Sequence, residues 1–357
     1  MHMTIFSFAT ALIALAVPAL MKRISYRVIL WISIILAVLS TAMMGIVHQV
    51  IGFYVLGAIR GVSTGLFSIV PLTIIINHFI HKRRGFATSL VFGFSGLAGA
   101  IFSPILTHVI EAYGWQAGYV CKALILMLLC MPALLCSSRL SSLQVTNKQR
   151  KDVKEQKRYH YASIGFLCFF VFALINTSIS SFTQHLPGFS ASIGYGLGAG
   201  AALLSAGMVG NIISKLIIGI IADAFDSVKA TLIMIAANVI GILMLLQAGS
   251  TWTLIIGAFL FGSIYSIGAV GLPLLTTHFF GEEHYAQVFP AISFASNAGS
   301  AVAFSLIGYL YDLTGTYTIA FMLCLLIQVT GLILLAMVAK STLLRQQKKI
   351  AFDLNNA

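Results

Sequence analysis

Two cationic side chains lie inside long apolar stretches of this sequence, where a charge is costly unless something neutralises it. Lys215 lies in the stretch 195–222, and Arg60 lies in the stretch 51–77. Ionisable residues in such stretches usually face a cavity or a partner. An anionic ligand could neutralise them, since a narrow cavity of low dielectric constant strengthens such a pairing. The nearest acidic residues all lie near the ends of apolar stretches: Glu111, Asp223 and Asp312.

Each cation also has a second interpretation. Lys215 lies seven residues from the end of its stretch, about 10 Å along a helix, so its side chain could instead extend to the membrane surface. Arg60 is deeper and could be a hydrogen-bonding centre between helices. Other polar residues in apolar stretches could line a cavity or join helices by hydrogen bonds: Asn176, Thr177, Tyr265 and Asn297.

The elements that carry these residues are apolar helices. Of the 357 residues, 59% are hydrophobic and 8% are charged, which excludes a soluble globular protein. The sequence predicts about eleven membrane-spanning helices of roughly 20 residues each. The predicted fold class is therefore all-α and polytopic. The predicted spans are 4–21, 28–47, 51–77, 86–110, 116–137, 161–183, 195–222, 228–248, 252–279, 286–311 and 317–340.

The net charge of +12 is unevenly placed. Lysine and arginine cluster in alternate connections, including the polar segment 138–160, and the opposite connections hold almost none. This bias predicts a multi-pass protein of the cell membrane whose linker and C-terminus are cytoplasmic. It also argues against a nucleic-acid partner, which would need one basic surface. We expect a monomer in the lipid bilayer with a small anionic substrate.

The sequence repeats itself at a spacing of about 200 residues. The stretch Gly57–Tyr119 recurs as Gly257–Thr318, with a His-Phe pair in each copy. Two parallel apolar halves are typical of a transporter built from two bundles, with its substrate site between them. We predict a bundle at 1–137, a linker at 138–160, a six-helix bundle at 161–340 and a tail at 341–357. The repeat matches the first predicted span to the second helix of the other half, so we expect five helices in the first bundle. A first helix would then be missing, through a misplaced start site or a gene fragment.

The sequence Gly219-Ile-Ile-Ala-Asp223 resembles the loop signature of the major facilitator superfamily. The resemblance implies a gate at the cytoplasmic end, where glycine permits close helix packing and aspartate binds the positive end of a helix dipole. The counterpart in the first half departs from the signature, with Pro18 in place of the glycine and Lys22 in place of the aspartate. We include Lys22 among the candidate gating residues.

A narrower resemblance begins at Asn77 and runs through Lys82-Arg83-Arg84-Gly85-Phe-Ala87. This block is similar to one in the monocarboxylate transporter and oxalate/formate antiporter branches of that superfamily. It adds Arg83, Arg84 and Gly85 to the candidate gating residues. The same branches place a substrate-binding arginine where this chain has Lys215, and some carry an aspartate where it has Asn211.

The resemblance and the unneutralised cations together predict secondary transport of a small organic anion, a mono- or dicarboxylate, by alternating access. Two alternatives remain: efflux of drugs or toxic compounds, and a truncated remnant that does not transport. The sequence contains no metal-ligand spacing, nucleotide-binding loop or nucleophile–base set. We therefore expect neither an enzyme nor a cofactor.

The topology is directly testable. A reporter fused after Ala357 should be active only on the cytoplasmic side, because the basic connections lie on the same side as the C-terminus. The measurement is reporter activity in intact cells, with a fusion in the opposite connection near Asp312 as the control. Activity of the Ala357 fusion only on the outer face would contradict the predicted orientation.

Overall fold

The computed structural model describes residues 2–80, 82–135, 161 and 163–355. All regular elements within these ranges are helical, as the sequence predicted. The predicted linker at 138–160 lies outside the described residues. The predicted tail begins inside the last helix, which continues to Asn355.

The first half contains five helices. They are α1 (His2–Arg23), α2 (Tyr26–Met44), α3 (Val50–Phe67), α4 (Ile69–Phe79) and α5 (Arg84–Leu135). Helix α5 is bent at Gly114, whose φ of 84° is not helical. It therefore consists of two segments, 84–113 and 115–135, which run in opposite directions through the bundle.

The second half begins with α6 (Ile164–Ser178), a 3₁₀ turn (Ile179–His185) and α7 (Leu186–Ser192), which together form one helical pass. The long helices α8 (Leu197–Ala224) and α9 (Ser227–Gln247) follow. The next pass comprises α10 (Thr251–Phe261), α11 (Ile264–Ser266), a π-helical turn (Ile267–Gly271) and the start of α12 (Leu272–Thr314). Helix α12 bends at Gly281, and α13 (Thr318–Asn355) ends the described chain.

Two predicted spans are interrupted at equivalent places. Helix α3 ends at Phe67, four residues before Pro71, and the π-helical turn ends two residues before Pro273. Proline lacks the amide hydrogen that would continue the ladder of the preceding turn, so the helix adjusts locally. The predicted spans 51–77 and 252–279 each cover one such interrupted pass, and each pass contains a Pro-Leu pair, Pro71-Leu72 and Pro273-Leu274.

The helices pack as two bundles. Within the described residues, nine helical stretches are long and apolar enough to cross a membrane. Dividing α5 at Gly114 and α12 at Gly281 gives five passes in the first half and six in the second. The bundles meet mainly along two helix pairs, α1 with α12 and α5 with α8, and α4 also contacts α12. Large apolar side chains such as Leu128 and Leu326 are exposed, and lipid would cover them.

A chain of buried amide side chains joins four passes of the second bundle. The Asn176 amide donates to the Gln328 carbonyl at 3.0 Å. Gln328 in turn donates to the Asn238 carbonyl at 2.6 Å, and Asn238 donates to the backbone oxygen of Phe261 at 2.8 Å. All three amides are fully buried. Because a buried amide without a partner is costly, this chain fixes the relative positions of α6, α9, α10 and α13.

Replacement of Gln328 should therefore destabilise the second bundle. In Gln328→Leu, the Asn176 amide and the Asn238 carbonyl lose their partners, which should lower the free energy of unfolding by about 1–2 kcal/mol. The measurement is unfolding of purified protein in detergent. The matched control is Thr330→Val on the same helix, where the exposed hydroxyl bonds only to Leu326 of its own helix. Equal stability of the two variants would contradict a structural role for the amide chain.

Candidate functional site

Helices α5 and α8 approach each other closely at two glycines. A methyl group at Gly219 would overlap the Ser89 hydroxyl and the Gly85 backbone oxygen, and a methyl group at Gly85 would overlap the Gly219 backbone oxygen. Further along the same pair, Gly96 leaves room for the side chain of Ile212. Small residues permit such backbone contact between helices. The two bundles are therefore tightly joined along this part of α5.

Asp223 of α8 binds the beginning of α5. Its two carboxylate oxygens accept hydrogen bonds from the backbone amides of Gly85 and Phe86, both at 2.8 Å. The first amides of a helix have no partner within the helix and form the positive end of its dipole. The residue before the helix, Arg83, has no acceptor in its side chain. Asp223 therefore caps α5 from the opposite bundle.

The other predicted gating residues lie around this contact. Arg84 forms an ion pair with Glu282, which begins the second segment of α12 and so joins the bundles a second time. Arg83 is exposed, with a positive φ of 53°. Lys22 is exposed in the last turn of α1 and takes part in none of the ion pairs recorded for the described residues. We call this end of the molecule the basic end, after Lys22, Arg83 and Arg84. It also carries the acidic partners Asp223 and Glu282.

Lys215 also reaches across to α5. Its ammonium group donates to the backbone oxygen of Phe92 at 3.3 Å and to the Ser95 hydroxyl at 3.0 Å. The residue is 5% exposed, so its side chain lies inside the interface and does not extend to the basic end. Both acceptors are uncharged, and no ion pair between described residues includes Lys215. The positive charge is therefore solvated by neutral dipoles alone.

Asn211 lies one turn from Lys215 on the same face of α8. It is 6% exposed, and its side-chain oxygen has no hydrogen-bond partner among the described residues. A buried acceptor without a partner costs about 1–3 kcal/mol. Lys215 and Asn211 together offer a donor and an open acceptor at the interface between the bundles.

Arg60 lies in a different place from Lys215. It lines a cavity of about 540 Å³ whose described walls all come from the first bundle. Its guanidinium carbon lies 5.1 Å from the centre of the Phe6 ring, a cation–π contact. No described contact joins Arg60 to Lys215, so the structure does not bring the two predicted substrate residues together.

The three other predicted substrate residues make contacts within the second bundle. Asn176 belongs to the buried amide chain. The Tyr265 hydroxyl donates to the backbone oxygen of Ser180 at 3.2 Å. The Asn297 amide donates to the backbone oxygen of Ser293, one turn earlier on its own helix, at 2.8 Å. These contacts agree with the expectation that such residues form hydrogen bonds within or between helices. The side chain of Asn297 is nevertheless partly exposed.

Two residues of this region, Lys122 and Ser95, were not among the candidates chosen from the sequence. Lys122 lines the same cavity as Arg60, and its position seven residues after Trp115 inside an apolar stretch was a usable signal. Ser95 receives Lys215, but serine is too common in apolar helices to be singled out without the packing.

A family model of the Major Facilitator Superfamily matches residues 1–212 and 199–352. Monocarboxylate transporter 13 of Bos taurus is 23% identical to the chain over 274 residues, which cover 74% of the chain and 62% of the relative. Monocarboxylate transporter 12 of Mus musculus is also 23% identical, with 78% and 65% covered. The chain thus spans slightly less than two thirds of the length of these two relatives.

Two solved structures have the same fold. The E. coli fucose:proton symporter FucP is 15% identical with a TM-score of 0.65, covering 94% of this chain and 90% of that chain. The proton:xylose symporter XylE is 13% identical with a TM-score of 0.71, covering 94% and 84%.

The cap that Asp223 provides should be measurable at α5. In Asp223→Ala, the Gly85 and Phe86 amides lose their acceptors, which should cost about 0.5–2 kcal/mol, as for other helix caps. Hydrogen exchange of a peptide that begins at Arg84 should become roughly 2- to 30-fold faster. The control is Asp312→Ala, in an exposed carboxylate at the far end of α12. Unchanged exchange in Asp223→Ala would contradict the assignment of Asp223 as the cap of α5.

Proposed function

The chain belongs to the major facilitator superfamily, and we propose that it is a membrane transporter that carries a small organic anion, a mono- or dicarboxylate, by alternating access. The observation that carries this proposal is that Lys215, a buried cation, bridges the two bundles with only uncharged acceptors recorded for its ammonium group. A carboxylate is a stronger acceptor for an ammonium group than a backbone carbonyl or a hydroxyl. The similarity to monocarboxylate transporters supports the same class of substrate.

Lys215 would couple binding of the anion to separation of α5 from α8. In the described conformation, the Lys215 ammonium holds α5 through Phe92 and Ser95. An anion that binds Lys215 replaces these two contacts and so weakens the joint between α5 and α8. A ligand shifts a conformational equilibrium only by its difference in affinity for the two states. The competition for Lys215 supplies such a difference.

Asp223 and the two glycines would form the gate at the basic end. The described conformation is joined there by the cap on α5, the close approach of Gly85 and Gly219, and the ion pair of Arg84 with Glu282. These contacts link opposite bundles, so a rocking motion that opens the basic end must break them. We place this end in the cytoplasm, following the distribution of lysine and arginine.

Efflux of cationic drugs is less compatible with this site. A cationic substrate would need a carboxylate inside the membrane region, and the described carboxylates lie near helix ends. Asp223 and Glu282 belong to the gate, and Asp312 lies three residues before Gly315, where α12 ends. Lys215 would also repel such a substrate.

The proposal predicts different outcomes for two substitutions of Lys215. Lys215→Met keeps the length of the side chain and removes the charge, so the anion loses a charge-assisted contact of about 1.5–3 kcal/mol, or roughly tenfold to 150-fold in affinity. Lys215→Arg should retain part of the affinity. The measurement is uptake of labelled two- to six-carbon carboxylates into proteoliposomes.

The matched control is Lys229→Met, which removes a lysine in the first turn of α9 and should leave uptake unchanged. Unchanged substrate affinity in Lys215→Met would show that Lys215 only joins the bundles. Uptake of none of the carboxylates by the unmodified protein would contradict the proposed substrate class.

A further inference from the structure

The cavity around Arg60 contains a second cation. Its described walls come from α2, α3 and both segments of α5, and they include the side chains of Arg60 and Lys122. The volume of about 540 Å³ lies within the range of small-molecule sites. The cavity wall therefore holds two like charges, which repel each other unless a ligand of opposite charge lies between them.

Nothing in the described part of the chain neutralises this pair. The ion pairs recorded there include neither Arg60 nor Lys122, and no described hydrogen bond uses either charged group. The remaining described walls are apolar except for two threonines. The Thr41 hydroxyl donates its hydrogen to the backbone oxygen of Ala37 at 2.7 Å. Neither threonine carries a charge that could neutralise the two cations. Cations in such surroundings are rare unless they serve a ligand.

The contacts of Arg60 leave its hydrogen-bonding edges available. The face of the guanidinium lies against Phe6 at 5.1 Å, which orients the group without using its N–H donors. A guanidinium held in this way can bind a carboxylate through two parallel hydrogen bonds. Thr64 lies one turn along α3, on the same face as Arg60, and also lines the cavity. Lys122 approaches from the second segment of α5.

We propose that Arg60 and Lys122 form a binding site for an organic dianion, with one acidic group bound to each cation and an aliphatic spacer against the apolar wall. This inference rests on the proposed function and narrows its substrate class from mono- and dicarboxylates to dicarboxylates. A monoanion would leave one of the two charges uncompensated, whereas a dianion neutralises both. The apolar wall, which includes Phe102 and Leu126, fits methylene groups between the two acidic groups.

The site also connects with Lys215 through one face of α5. Ser95, which receives Lys215, and Ala98, which lines the cavity, are three residues apart and so neighbours on that face. Phe102 and Leu106 continue the face along the cavity. The wall of the cavity thus begins, at Ala98, about one helical turn from the serine that receives Lys215. The pair serves as a first binding position, and Lys215 serves as the next.

The test is a comparison of two probes of equal chain length, succinate and butyrate, with the purified protein in lipid nanodiscs. The unmodified protein should bind succinate at least tenfold more tightly than butyrate. Lys122→Gln should lower succinate affinity at least tenfold and change butyrate affinity less than threefold. Lys122→Arg should keep the preference for succinate, which also shows that the position tolerates substitution. The control is Lys340→Gln, an exposed lysine on α13, which should bind both probes as the unmodified protein does.

Two results would overturn the inference and leave the proposed function intact. One is equal or tighter binding of butyrate by the unmodified protein. The other is unchanged succinate affinity in a Lys122→Gln protein with the same thermal unfolding midpoint as the unmodified protein. Binding of neither probe would also overturn the inference, and the wider carboxylate uptake panel would then decide whether the proposed function stands.

Discussion

The close packing of α5 against α8 is the constraint on which the rest of the site depends. Gly85 and Gly219 bring the two backbones into contact, and the other contacts follow along the same helix pair. Asp223 reaches the first amides of α5, and Lys215 reaches Phe92 and Ser95 about two to three turns further along α5. A larger residue at either glycine would separate the helices and lengthen all of these hydrogen bonds. One steric feature therefore sets the geometry of both the cap and the buried cation.

Features that depend on local sequence were predictable. The helical passes follow from runs of apolar residues, and the motif from Gly219 to Asp223 indicated a close helix approach next to a helix dipole. The partners of individual side chains were not predictable, because they depend on which helices lie opposite. Lys215 and Arg60 could both be chosen from the sequence as cations within apolar stretches, but not the contact of Lys215 with Ser95 across the interface or the position of Arg60 in the first bundle. Lys122 was not among the candidates, although it lies inside the predicted span 116–137.

The repeat predicts two halves of equal shape, but the structure shows that their polar residues differ. The positions 200 residues after Arg60 and Lys122 hold Leu260 and Met322. Conversely, the positions 200 residues before Asn238 and Gln328 hold Val38 and Leu128. The second bundle thus contains a chain of buried amides that hydrogen-bond to one another, and the first contains unneutralised cations around a cavity. The two bundles thus share a backbone arrangement, but buried amides join the helices of the second bundle and cations line a cavity in the first.

This division of polar residues suits the proposed transport, in which an anion binds and one bundle moves against the other. The amide chain lies within the second bundle and does not cross the interface, so it need not break when the bundles rock. The contacts that must break use exposed or weakly held groups, namely the Asp223 carboxylate, the Arg84 ion pair and the neutral acceptors of Lys215. Each of these contributes at most a few kcal/mol. An anion that captures Lys215 can therefore change the balance between conformations, because the energy it must supply is comparable to a single charge-assisted hydrogen bond.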